Sequence, residues 1–304
     1  MSRREPCAIS AEAIGLGSLM VDAADGMIEV RRPQGPAAPV LLSSPHSGTL
    51  WPRGARDLVR VADAVLIQLE DGPLDRLLEP APRAGATLLL ARFARGVVDA
   101  NRDPAELDPV LAPGTHLPRR LTPKVRAGLG VIPARLAGRD LYAVPLRPAD
   151  VAWRLGELWG GYHRALADLR DQLFAAFGRV ILVDVHSMPT DHGGEGGPVD
   201  VALGDRFGRT AHPLVVETIR ETFVAAGLSV ARNRPYAGGY ITEHYGRPEL
   251  RQHAVQLELR RGLFIDERTH EPLPGFRQLQ QILTELVLRL GDVASAAPVA
   301  AAAE

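Results

Sequence analysis

Short apolar runs that read as strands alternate along this chain with longer amphipathic stretches of helical period. The strand-like runs are MIEVRR (27–32), PVLLSS (39–44), ATLLLARF (86–93), GVVDAN (96–101), RVILVDVHS (179–187), PVDVALGD (198–205), SVARN (229–233) and HAVQLELRR (253–261). Helical patterns occupy 149–178, with Gly178 as a C-cap, 211–227 and 275–293, and one or two shorter ones lie within 55–81. Strands separated by helices of about 10–20 residues specify an α/β fold, in which helices flank a mixed, mostly parallel central sheet. We expect a single domain over 27–292, preceded by an irregular segment (1–26) and followed by a low-complexity tail (293–304). Residues 103–150 carry eight prolines and read as a long excursion from the sheet.

Composition narrows the functional classes. The formal net charge is −1, so nothing global recruits nucleic acid or an anionic membrane. No apolar run approaches the ~18 residues of a membrane span. The single cysteine, Cys7, excludes an internal disulfide and a cysteine-based metal cluster, and a reducing cytoplasmic setting is the expectation. Of 35 basic residues only Lys124 is a lysine, so arginine here is weaker evidence for an anion site than usual. Oligomeric state is not legible.

Polar groups at the ends of buried strands are where the chemistry of such folds gathers. LLSSPHSGT places His46 just after an apolar strand, and VDVHSMP does the same for His186, each followed by a serine. Between them LEDGPLD offers Glu70, Asp71 and Asp75. Two histidines and a carboxylate are the ligand set of an open zinc site; equally, the histidines could be core residues and the carboxylates a solvated helix end. In FARGVVDANRDP, an extended 95–101 would put Arg95, Val97, Asp99 and Asn101 on one face, with Arg102 at its end. That group suits a substrate carboxylate, or an internal Arg95–Asp99 ion pair. In HAVQLELRR, Gln256, Glu258 and Arg260 face away from Val255, Leu257 and Leu259. Glu258 could act as a general base or form a ladder with Arg260 on a wet face. RPYAGGYITEHYG (234–246) reads as a glycine-bearing loop over a site, or as a hairpin turn.

In order, SSPHSG, EDGPLDRL, FARGVVDANRDP, GLGVIP, LVDVHSMP, GDRFG, AGGYITEHYGRP and HAVQLELRR resemble the N-formylglutamate amidohydrolase (deformylase) family over roughly residues 43–261. The resemblance implies the phosphorylase/hydrolase-like architecture shared with zinc carboxypeptidases and aspartoacylase. It implies hydrolysis of an N-formyl or other N-acyl amino acid, N-formyl-L-glutamate first, to formate and L-glutamate in histidine degradation. The implied cofactor is Zn2+ or another divalent metal, held by His46, Asp71 and His186, with Glu70 and then Asp75 as alternative carboxylates. Glu258 becomes the base, Arg95 the group polarising the scissile carbonyl, and Asn101 with Arg102 the clamp on the substrate carboxylate. Asp184 becomes a support behind the ligands. The alternatives are a deacylase or amidase for another N-blocked acid or small peptide, and a non-catalytic small-acid or metal binder on the same scaffold. Specificity is expected in the loops 103–148 and 189–197.

Overall fold

The nine-residue run at 180–188 is buried along its whole length, as a strand covered on both faces must be. The structure, a computed structural model, describes residues 26–52, 54–117, 119–191 and 198–296. Cys7, residues 1–25 of the expected irregular segment, residues 192–197 of the second specificity loop and the last part of the tail (297–304) lie outside the described residues.

Seven strands form the main sheet: β1 (Ile28–Arg31), β2 (Val40–Ser44), β3 (Thr87–Ala91), β6 (Val180–Met188), β7 (Val201–Gly204), β8 (Val230–Arg232) and β9 (Gln252–Arg260). Two further short strands, β4 (Arg135–Leu136) and β5 (Arg139–Asp140), make a separate hairpin inside the proline-rich excursion. The main order is β1-β3-β2-β6-β9-β7-β8. Four of its pairings are parallel, and β1/β3 and β7/β9 are antiparallel, the mixed, mostly parallel sheet that was expected.

Helices α1 (Asp63–Leu66), α2 (Leu74–Leu77), α3 (Pro123–Arg126), α4 (Pro148–Trp153), α5 (Gly160–Phe177), α6 (Pro213–Ala225), α7 (Tyr240–Tyr245) and α8 (Gly275–Ala296) complete the set, with several 3-10 turns. On one face of the sheet, Tyr162, Leu166 and Leu169 of α5 pack with Leu41, Leu89 and Leu182. On the other, Ile219 of α6 and Leu283 and Leu286 of α8 pack with Leu42, Val183 and Leu257. Period-two alternation therefore splits β6: Ile181, Val183 and Val185 enter the second core, while Asp184 and His186 face the α5 side. Among the described residues no helix is long and apolar enough to cross a membrane.

Several expectations need refining. GVVDAN is not a strand but a series of turns, because its backbone groups are satisfied off the sheet: Val97 N–H donates to Ala94 O (2.9 Å) and Asp99 N–H to Val131 O (2.7 Å). The helix expected at 149–178 ends on Gly178 (φ +66°) as predicted, but a π segment, Arg154–Trp159, separates α4 from α5. The tail begins later than residue 293, since α8 continues to Ala296. The helical pattern at 55–81 breaks at Gly72 (φ +78°) and Pro73, leaving only α1, α2 and 3-10 turns. The RPYAGGYITEHYG stretch closes into α7 rather than a hairpin.

Candidate metal centre

The residues singled out at strand ends meet at one edge of the sheet. His46 lies two residues beyond β2, and β2 pairs with β6. In the β6/β9 register His186 stands directly beside Glu258. Asp71 sits at the turn around Gly72, where its N–H donates to His46 O (3.1 Å) and its own carbonyl accepts from Ser187 Oγ (2.7 Å). The serine after His186 thus pins the backbone of Asp71.

His46, Asp71 and His186 are buried, and each offers one ligand atom within 4.8 Å of the others. Asp71 Oδ2 lies 2.9 Å from His186 Nδ1 and 3.5 Å from His46 Nδ1. Behind the rings, His46 Nε2 is 2.7 Å from Asp99 Oδ1, and His186 Nε2 is 2.9 Å from Asp184 Oδ2. A carboxylate can only accept, so His46 carries its proton on Nε2 and turns a bare Nδ1 inward. Among the described residues that buried Nδ1 has no hydrogen-bond partner. An orphaned imidazole lone pair beside a second imidazole and a carboxylate fits a divalent cation of the zinc type. The carboxylates behind the rings are the supports that metal-binding histidines ordinarily have.

The electrostatics agree with that donor set. Burial pushes the Asp71 carboxyl up, but the hydrogen bond from His186 and the neighbouring imidazole of His46 hold it well below the usual range. Burial likewise opposes charge on His186, yet Asp184 and Asp71 outweigh it and raise the imidazole well above its ordinary value. For Asp99, burial is overcome by Arg95, His46 and Arg102, leaving its carboxyl well below the usual range.

The other expected residues divide. Of the three carboxylates in LEDGPLD, only Asp71 enters the centre. Glu70 turns toward His270 (Oε2 to Nδ1 3.9 Å), and burial pushes its carboxyl up to about 7. Asp75 pairs with Arg92 (2.6 Å). Glu258 is buried, accepts a hydrogen bond from Gln256 Nε2 (2.6 Å), and is pushed up to about 7 by burial, with His186 opposing and Asp71 adding. The ladder with Arg260 does not form, because Arg260 pairs with Asp200. Arg95 Nε donates to Asp99 Oδ2 (2.8 Å), so the internal ion pair exists.

The clamp expected of Asn101 and Arg102 separates into two different placements. Both ends of the Asn101 amide are engaged within the protein: Nδ2 donates to Asp184 Oδ2 (3.1 Å) beside His186 Nε2, and Oδ1 accepts from Ile241 N–H (2.8 Å). A Cβ on Gly239 would come within 2.5 Å of this amide, so the close approach requires glycine there. Arg102 lies 3.7 Å from Asp99 and lines, with Asn101, Lys124, Arg206 and Arg247, a cavity of about 570 Å³. Asn101 joins the cavity to the centre.

Sequence reasoning missed the scaffold beneath 97–102. Arg154 Nη1 donates to Val97 O (2.7 Å), His163 Nε2 to Ala100 O (2.8 Å) and Trp159 Nε1 to Arg102 O (3.0 Å). It also missed Ser43, whose Oγ donates to Asp184 Oδ1 (3.0 Å) while accepting from Tyr162 OH (2.8 Å). The role of Asp99 behind His46 carried one visible sign, its place among the polar residues of FARGVVDANRDP.

Comparison with known proteins adds an independent line. The sequence model of the N-formylglutamate amidohydrolase family matches residues 38–265. N-formylglutamate deformylase of Pseudomonas aeruginosa is 36% identical over 237 residues, covering 76% of this chain and 83% of the relative. The deformylase of Pseudomonas putida is 32% identical over 257 residues, 83% of this chain and 90% of its own. The crystal structure of N-formylglutamate amidohydrolase from Ralstonia eutropha superposes with a TM-score of 0.84 at 34% identity, covering 88% of this chain and 98% of that one.

Proposed function

This chain belongs to the N-formylglutamate amidohydrolase family, and on that footing we propose that it hydrolyses N-formyl-L-glutamate to formate and L-glutamate with a divalent cation, zinc first, held by His46, Asp71 and His186. The reading rests most on the inward-facing Nδ1 of His46, buried and unpartnered beside Asp71 and His186. The deformylase names of the relatives support the substrate. We place the reaction in the cytoplasm and within histidine degradation.

When bound, such a cation supplies Lewis acidity, enough to bring the pKa of a coordinated water down toward about 7. The protein's own groups do the rest. Asp99 and Asp184 fix the two imidazole rings with their Nδ1 atoms inward. Glu258, with a pKa near neutrality in the metal-free protein, can accept the proton of the attacking water and return it to the departing nitrogen. The water oxygen forms a bond to the formyl carbon, the C–N bond breaks, and the amine leaves with that proton. Arg95, half-buried beside Asp99 and within the field of Asp71 and Glu258, is placed to stabilise charge on the carbonyl oxygen. Arg102 takes the carboxylate role, and Asn101 holds Asp184 and α7 in place.

Formate release from N-formyl-L-glutamate tests this directly. We expect turnover that a chelator abolishes and added zinc restores. Activity persisting in protein shown by elemental analysis to be metal-free would overturn the metal-dependent reading; no formate release by zinc-loaded protein would overturn the substrate.

A further inference from the structure

The cavity beside the metal centre carries more positive charge than its own ion pairs use. Its wall holds five cationic side chains, Arg102, Arg120, Lys124, Arg206 and Arg247, against three carboxylates, Asp103, Glu106 and Glu243. Several of these are already committed. Arg120 pairs with Asp103 (3.1 Å), and Arg206 with Glu243 (2.5 Å). Glu106 accepts from Thr122 Oγ1 (2.7 Å), and Arg247 donates to the carbonyls of Glu243 and Gly246. Least engaged are Arg102, at the junction with the metal centre, which has only the long contact to Asp99 (3.7 Å), and Lys124.

Lys124 is the one lysine among 35 basic residues, in a chain that uses arginine everywhere else. It lies on α3, one residue into the helix that Thr122 caps, and its side chain stands in the cavity rather than in the core. Among the described residues no carboxylate lies within ion-pair distance of its ammonium. Lys124 is solvent-exposed at the cavity wall, and partial desolvation with the nearby charges of Arg102 and Arg95 lowers its pKa from the ordinary lysine value, while Glu106 and Asp99 offset part of this. A compact, unpaired ammonium among like charges is a site prepared for an anion, and together with Arg102, whose ion pair with Asp99 is long (3.7 Å), it suits a ligand with two carboxylates.

We propose that Lys124 is a specificity residue that binds the side-chain carboxylate of a dicarboxylic N-formyl amino acid, while Arg102 binds its α-carboxylate. The inference rests on the deformylase reading, and it adds that selection for an acidic side chain resides in α3 of the proline-rich excursion.

The test compares Lys124→Met, which keeps the stem and removes the charge, with Lys124→Arg, using the full-length, zinc-loaded protein. N-formyl-L-glutamate and N-formyl-L-glutamine differ only in the charge at issue. Losing a charged hydrogen bond predicts a fall of about 10–100-fold in kcat/KM for the glutamate derivative in Lys124→Met, carried mostly by KM. The glutamine derivative should change less than about twofold, and Lys124→Arg should recover most of the loss. Equal losses on both substrates, or none on either, would overturn the proposal. Titration calorimetry with L-glutamate and L-glutamine gives a second readout independent of turnover. If the wild type binds glutamate through Lys124 yet releases no formate, carboxylate recognition stands and the deformylase reading fails. If it turns over N-formyl-L-glutamate and Lys124→Met does so equally well, the reverse holds.

Discussion

Substituting Asp99 by asparagine removes one charge and almost no volume, at a residue with three hydrogen-bond partners. His46 Nε2 (2.7 Å) and the Asn101 N–H (2.8 Å) both point at Oδ1, and Arg95 Nε points at Oδ2 (2.8 Å). In Asp99→Asn the amide oxygen takes the Oδ1 place, and the NH2 then meets the Arg95 N–H donor to donor. That end forfeits a hydrogen bond between charged groups in a buried setting, about 1.5–3 kcal/mol. At the other end His46 keeps its tautomer but loses the negative charge that makes Nδ1 a good ligand. Removing such a support typically costs about 10–100-fold in metal affinity, or about 1.4–2.8 kcal/mol. Zinc competition against a chromophoric chelator reads the second quantity, and denaturant unfolding of the metal-free protein reads the first. Asp75→Asn is the control, since Asp75 pairs with Arg92 away from the centre. A folded Asp99→Asn protein that binds zinc like the wild type would refute the idea that Asp99 acts through His46.

Glu258→Gln should cut turnover by about 100- to 10,000-fold while elemental analysis still finds the metal, and a variant keeping more than a tenth of the activity would remove Glu258 from proton transfer. In the metal-free protein, Asp71 and Asp99 are depressed, so their stabilisation is whole above the unfolded carboxylate value of about 4 and is lost as pH falls through their folded values. His186 is raised, so its contribution is whole below about pH 6.5 and is lost as pH climbs through its folded value. Because zinc must displace the His186 proton, its apparent affinity should rise about tenfold per pH unit while that proton is held, and a flat profile would contradict the arrangement. Arg154→Met leaves Val97 O and Tyr142 OH without their donor, and denaturant titration should show a loss of about 1–3 kcal/mol.

Local pattern made the sheet and most helices legible, since period two and period 3.6 belong to the backbone and need no partner. It also made His46 and His186 legible, because a polar residue at the end of a buried strand has few places to go. Local pattern left the choice among Glu70, Asp71 and Asp75 open, and only the family resemblance favoured Asp71. That choice depends on the Gly72 turn and on the Asp71 N–H reaching His46 O, a contact between segments 25 residues apart by number. The stretch 95–101 shows how a sound grouping can rest on a mistaken conformation. Arg95, Asp99 and Asn101 do gather, but through turns tied to Val131 and the long helix, and those partners lie outside any local window.

The π segment supplies the missing cause. Five residues apart on an ordinary α-helix, Arg154 and Trp159 would point about 140° away from each other. The wider i→i+5 turn of Arg154–Trp159 brings them toward one face, and four residues of normal helix then add His163 to it. From that face the three side chains donate to the carbonyls of Val97, Arg102 and Ala100. Those carbonyls belong to a segment without a sheet neighbour, so the donors decide its course. The segment in turn carries Asp99 to His46 and Asn101 to Asp184. An irregularity in a helix on one face of the sheet therefore supports the carboxylate behind His46 and one of the two hydrogen bonds that hold the carboxylate behind His186.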